Sequence, residues 1–338
     1  MKVADFRSDT VTLPSEAMKS AMLKAPLGDD VYEEDPTVKE LEEYSAHLLG
    51  KSAALFAPSG TQSNLLALLS HCQRGDEYIV GQHAHTYKYE GGGAAVLGSI
   101  QPQPIAFESP GIIPIDLIKQ AIKPNDIHFA KTKLISLENT CFGCVVPQDY
   151  IHSTKSICDE YKLKFHLDGA RLFNASVASN QSAATIAKPF DSISICLSKG
   201  LGAPVGSVLV GSFELIQEAK RWRKMLGGGM RQAGLLAAAG IYALKNNVER
   251  LAEDHQRAQI LHEALSQLKG ISLKPYSAQT NMVFVDVPEE SLDQLHALAK
   301  DNNIVLPNGK ELRLVIHLDI DDDAINRLIS VFKATYSE

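Results

Sequence analysis

Between Ile193 and Gly211 the chain reads ISICLSKGLGAPVGSVLVG. An alternating apolar run, Ile193, Ile195 and Leu197, stops at Ser198 and Lys199, and a glycine-broken turn leads into a second apolar run, Val208 to Val210. That order predicts a strand, a tight turn carrying one lysine, and a returning strand. Gly200, Gly202 and Gly206 allow backbone angles that side chains resist, and Pro204 fixes part of the turn. A lysine displayed there is either a desolvated amine free to attack a carbonyl or an ordinary solvated lysine at a strand end. The surrounding chain has to decide between the two.

Upstream, strands alternate with helices. Ala53 to Ala57 runs into PSGTQSN and then a helix through Leu65, Leu66, Leu68 and Leu69. Strand, small-residue turn and helix aim free backbone N–H groups at one point, so Ser59, Gly60 and Thr61 are either a phosphate cradle or ordinary helix caps. After the strand Glu77 to Gly81, the segment GQHAHTYKYE would place His83, His85, Tyr87 and Tyr89 on one side if extended. No third-ligand motif such as H-E-x-x-H accompanies the two histidines, so an imidazole facing a cofactor ring fits better than a metal site. His128, entering the strand that ends at Glu138, is either a core-edge histidine or an acid–base group. In KLKFHLDGAR, Asp168 closes an apolar strand and Arg171 follows, at the strand end where ligands gather in open α/β sheets. Alone, Asp168 would be a cap; one strand from Lys199 it is a candidate partner for a protonated ring nitrogen. The alternation from 53 to 211 implies right-handed crossovers and a mostly parallel sheet.

A chain of 338 residues exceeds what one hydrophobic core usually serves, roughly 250–300 residues. We therefore expect an N-terminal arm over 1–14, a large domain over 15–246 and a small α+β domain over 247–338. Tyr32, the one large ring in the loop GDDVYEEDP, either lines a site or covers the core. Arg231 lies near the start of the helix that follows GGGMRQ. A net charge of -7 with no basic run argues against a nucleic-acid surface. The N-terminus lacks a signal-like apolar region and no stretch of about 18 apolar residues exists to span a membrane, so a cytoplasmic enzyme acting on a small molecule is expected. Five cysteines, an odd number, form no disulfide framework, and Cys141 and Cys144 lack the two further ligands of a structural zinc site. No metal is expected.

Ten motifs in order, RSDTVT, GDDVY, PSGT, EGGGAAVLGS, LENT, HLDGAR, SKGLGAPVGS, GGGMRQ, TNM and LRLV, span nearly the whole chain. Together they resemble the threonine aldolases, fold type I pyridoxal phosphate enzymes. The resemblance implies an α/β fold with a mostly parallel seven-stranded sheet between helices, plus a small C-terminal domain. It implies that Lys199 holds pyridoxal 5'-phosphate as an internal aldimine, that Asp168 pairs with the pyridine nitrogen, and that His85 stacks on the ring. Gly60 and Thr61 would bind the phosphate, with Arg231 serving a phosphate site across a subunit boundary. Ser8, Arg171 and Arg313 match the family's substrate-carboxylate contacts, Arg171 lying against the cofactor as well, and Tyr32 and His128 would line the substrate side. The implied reaction cleaves threonine or allo-threonine to glycine and acetaldehyde, in a homotetramer built as a dimer of dimers. Where many family members read LENTHNG, this chain reads LENTCFG, which removes a polar pair from that loop. The rival expectations are another fold type I activity, an aminotransferase or β-eliminating lyase, and a non-catalytic binding protein that has kept the fold.

Overall fold

The structure, a computed structural model, describes residues 2–336. Its centre is a seven-stranded sheet of β1 (Ala53–Ala57), β2 (Asp76–Gly81), β3 (Gln101–Ile105), β4 (Lys131–Glu138), β5 (Lys164–Gly169), β6 (Ser192–Cys196) and β7 (Ser207–Gly211). The spatial order is β1-β7-β6-β5-β4-β2-β3. All neighbours run parallel except β7, which is antiparallel to both β1 and β6. Helices cover both faces, which is why β6 and β7 are buried at every residue and read as near-continuous apolar runs. The glycine turn between β6 and β7 is the anticipated one. A Cβ on Gly206, which sits at φ 104°, would lie 2.6 Å from the Phe56 ring, so no side chain fits there.

Three features depart from the sequence expectation. The edge strand β3 carries Pro102 and Pro104, which hide it from pattern reading; an edge strand tolerates their missing N–H groups because one side of it pairs with nothing. A helix, Phe213–Met225, capped by Ser212, follows β7 and packs Leu215, Ile216 and Ala219 onto the sheet. Its charged face, EAKRWRK, masks it in sequence. Third, the segment after β2 is not extended. His85–Lys88 forms one helical turn, so His83 and His85 part company: His83 lies beside Phe107 and Phe142, and His85 faces the sheet end.

The C-terminal part builds a second core around a three-stranded antiparallel sheet, with β8 (Ser272–Leu273), β9 (Met282–Asp286) and β10 (Glu311–Val315) in the order β10-β9-β8. Helices Leu251–Ser266 and Asp322–Tyr336 pack Leu261, Leu265, Leu328 and Phe332 against it. Each such side chain stabilises by roughly 1.5–3 kcal/mol when fully buried. The first residues belong to this core. Ala4–Asp5 pairs in parallel with Ile304–Val305, and Phe6 is wholly buried. That anchoring carries the following residues, Arg7 to Thr12, past the carboxyl ends of β5 and β6.

Candidate active site

Strand register sets the chemistry. Asp168, at the end of β5, lies opposite Glu138 on β4 and Ser194 on β6, and Lys199 follows three residues beyond β6. Asp168 is buried, and accepts hydrogen bonds from Asn64 Nδ2 at 2.9 Å and the Ala170 N–H at 3.1 Å. Lys199 is half-buried, and its turn is tied by the Gly202 N–H to Lys199 carbonyl bond at 2.8 Å. Among the described residues it has no salt bridge, although its charge is felt by Asp9 and Glu138. An amine held near carboxylates but bonded to none remains available for covalent chemistry.

His85 is fixed from two sides. Its backbone N–H donates to Glu138 Oε2 at 2.9 Å, and its ring Nδ1 meets Glu90 Oε1 at 2.8 Å. The bond to Glu90 raises the imidazole's pKa, and burial raises that of Glu90. Burial, reinforced by the negative Asp168, pushes the Glu138 carboxyl up to about 7. Ligand atoms of His85, Glu90 and Asp168 lie within 4.8 Å of one another, a spacing that could hold a cation. The Asn64 amide already bridges the two carboxylates, with bonds of 2.8 and 2.9 Å, so hydrogen bonding accounts for the cluster.

The helix Gly60–His71 starts beside this end of the sheet. Ser59 Oγ takes the N–H of Gln62, and the N–H groups of Gly60 and Thr61 point out of the helix unpaired, as first-turn groups do. Next to Gly60 stands Ser207, whose Oγ is buried with no hydrogen-bond partner among the described residues and lies 3.4 Å from where a Cβ on Gly60 would fall. An orphaned hydroxyl beside unpaired N–H groups fits a phosphate. With Lys199, Asp168 and His85 converging on the same strand ends, the residues present fit pyridoxal phosphate.

The arginines divide. Arg171 is half-buried and makes a bidentate pair with the fully buried Asp9, Nε to Oδ2 at 2.7 Å and Nη2 to Oδ1 at 2.6 Å. Asp9 takes Nε and Nη2, as a largely buried guanidinium requires, and leaves Nη1 without a hydrogen bond among the described residues. Arg313 is the open one. Among the described residues its one hydrogen bond is a long one to the Arg7 carbonyl at 3.4 Å. Its side chain is solvent-exposed, and partial desolvation with the nearby Arg171 charge lowers its pKa, so a carboxylate entering beside it would be favoured. Ser8, half-buried, caps the turn after it through Thr10.

Tyr32, His128 and Arg231 are not brought to this cluster within the chain. Tyr32 is 73% exposed. Arg231 pairs with Asp29 at 3.0 Å on the surface. His128, 78% exposed along its side chain, bonds Asp126 at 2.6 Å in the loop before β4. Conversely, sequence reading missed Asp9, Asn64, Glu90, Glu138 and His166. Two had a visible signal: Asn64 is polar amid the apolar run of its helix, and Glu138 ends a strand as Asp168 does.

A family model described as beta-eliminating lyase matches residues 5–304. The low specificity L-threonine aldolase of Escherichia coli strain K12 is 54% identical over 330 residues, covering 98% of each chain. Among solved structures, a threonine aldolase of Leishmania major superposes with a TM-score of 0.84 at 22% identity, covering 98% of this chain and 99% of that one. A serine palmitoyltransferase of Sphingomonas wittichii shares the fold at 0.78 and 15% identity, over 99% of this chain and 86% of that one. The fold and the site define the class, a fold type I pyridoxal phosphate-dependent lyase. With the open arginine and the lysine turn in place, the family follows: the chain belongs to the beta-eliminating lyases and, among them, to the threonine aldolases.

Proposed function

We propose that the protein cleaves L-threonine, L-allo-threonine and related β-hydroxy-α-amino acids to glycine and an aldehyde, using pyridoxal 5'-phosphate. The observation that carries this is Lys199, half-buried and, among the described residues, without a salt bridge, three residues beyond the strand that pairs with the one carrying Asp168. Lys199 would hold the cofactor, Gly60, Thr61 and Ser207 its phosphate, and Asp168 its ring nitrogen, with His85 against the ring. Bound there, the cofactor supplies an electron sink for the pair released as the bond between Cα and Cβ breaks. The chain's own residues do the rest. Arg313 holds the substrate carboxylate and so orients the bond to be broken. Asp168, fed by two donors, stays a hydrogen-bond acceptor for a protonated nitrogen. His85, with Nδ1 tied to Glu90, leaves Nε2 to take or return a proton at the β-hydroxyl. His128 acts on the hydroxyl side of the pocket.

Exposed Tyr32, Arg231 and His128 fit a homo-oligomer, a tetramer built as a dimer of dimers, in which a second subunit brings these residues to a site. The separation of the C-terminal core from those around the seven-stranded sheet supports division into a large unit over 15–246 and a small one over 247–338, with Ala4 and Phe6 of the arm 1–14 packed in the second. All five cysteines are unpaired and buried, which suits a reducing compartment such as the cytoplasm. Among the described residues, no helix is long and apolar enough to cross a membrane.

The test is turnover of both threonine epimers by purified protein, with aldehyde measured in the absence of any keto acid, together with the visible spectrum. Lys199→Ala should lose both turnover and the cofactor's absorbance. Aldehyde formation that required a keto-acid acceptor, or borohydride labelling of a different lysine, would overturn the proposal.

A further inference from the structure

Behind Asp168 runs a buried line of polar side chains that none of the steps above employs. His166 precedes Asp168 by two residues on β5, so both project from the same face. Its Nε2 lies 3.2 Å from Asn64 Oδ1, and its Nδ1 lies 2.8 Å from the Oγ of Ser192, its register partner on β6. Ser192 Oγ is in turn 2.8 Å from His71 Nε2. His71 closes the helix Gly60–His71, whose first turn carries Gly60 and Thr61, and lines a surface cleft with Lys164, Asp191 and Glu218.

Each link has a direction, and the directions depend on one another. The Asn64 Nδ2 group meets two carboxylates, Glu90 and Asp168, and so uses both of its protons. Its Oδ1 must then accept, and His166 Nε2 must donate. His166 is completely buried, and burial holds its imidazole neutral with a pKa near 3, so its other nitrogen is a bare acceptor. Ser192 therefore donates to His166 Nδ1 and accepts from His71 Nε2–H. His71 is neutral for the same reason, its pKa lowered by burial to about 4. Reversing the line would turn the Asn64 carbonyl oxygen onto both carboxylates and leave buried acceptors facing each other.

We infer that the one-way line His71–Ser192–His166–Asn64 is a positioning device: it locks the Asn64 amide with its N–H groups toward Asp168 and so holds that carboxylate ready for the cofactor's ring nitrogen. His166 is a positioning residue that acts through Asn64 and touches no reacting atom. The inference rests on the role given to Asp168 above.

The test uses the holoenzyme and compares His166→Phe, His166→Gln and Asp168→Asn. In His166→Phe the amide loses the donor that orients it, so cofactor dissociation should strengthen and kcat fall, each by about ten- to a hundredfold, the range of one hydrogen bond to a charged group. KM for the amino acid should stay unchanged. His166→Gln carries an amide N–H in place of Nε2–H and should recover most of the cofactor affinity. Independently, the nitrogen NMR spectrum of histidine-labelled wild type should show neutral His166 protonated on Nε2 from pH 6 to 8. Wild-type affinity and kcat in folded His166→Phe, or His166 protonated on Nδ1 or on both nitrogens, would overturn the inference. If the Phe variant does not fold, the tautomer decides. Unchanged affinity in Asp168→Asn would instead overturn the role of Asp168, and so separates the two failures.

Discussion

Asp9→Asn tests the link between the N-terminal segment and the site. Burial alone would raise the Asp9 carboxyl, but the charge of Arg171 and its two hydrogen bonds, with Lys199 and His317 further off, hold it at about 2 against an ordinary 3.8. A depression of that order corresponds to a coupling of a few kcal/mol at neutral pH. The amide keeps the shape but leaves the largely desolvated Arg171 charge uncompensated, and breaking a buried pair costs about 3–5 kcal/mol. We therefore expect the variant to lose about 3 kcal/mol at pH 7, measured by urea unfolding of the cofactor-free protein. Because the folded pKa is depressed, this contribution is fully present above about pH 4 and is lost as pH falls toward 2. The gap between wild type and variant should close over that window. Pairing the change with Arg171→Met should restore part of the loss, since the orphaned charge is then gone. A loss below about 1 kcal/mol at pH 7, or a gap that does not narrow in acid, would refute the account of the pair.

Arg313→Ala should raise KM for the amino acid about ten- to a hundredfold while cofactor affinity holds, since a charge-assisted fork to a carboxylate is lost; steady-state kinetics beside a cofactor titration check this. Glu138→Gln should abolish a pH dependence. A carboxyl whose folded pKa is raised from 4.5 to about 7 loses stability as pH rises through that interval, so cofactor-free wild type should weaken relative to the variant between pH 5 and pH 8 in urea unfolding, and a constant gap would show Glu138 ionised throughout. His128→Phe should change the ratio of kcat/KM for threonine and allo-threonine by about tenfold, the scale of one hydrogen bond, with cofactor affinity unchanged; equal losses for both epimers would leave His128 a surface residue.

The lysine turn, the strand ending in Asp168 and the small-residue helix start were legible because each is local. A period-two apolar run, a glycine needed at positive φ and a helix cap are written into consecutive residues. The same locality made the order of ten motifs readable as a family. Local pattern failed where an edge strand carried two prolines, and where His85 sat in a helical turn that the alternation of His and Tyr disguised.

What only tertiary structure decided was which side chains meet. Arg171 is tied through Nε and Nη2 to Asp9, 162 positions away, because residues 4–6 are pinned into the C-terminal core and lead the chain over the sheet end. His166, Asn64 and Ser192 look like unremarkable polar residues in apolar runs, and become one line because β5, β6 and a helix are brought into register. Sequence determined the chemistry present at each strand end. Burial and long-range contact decided which of those groups is committed, as Arg171 is through Nε and Nη2, and which, like Lys199 and Arg313, is left open, because a buried charge or dipole takes the nearest partner the fold supplies, however far away it lies in the chain.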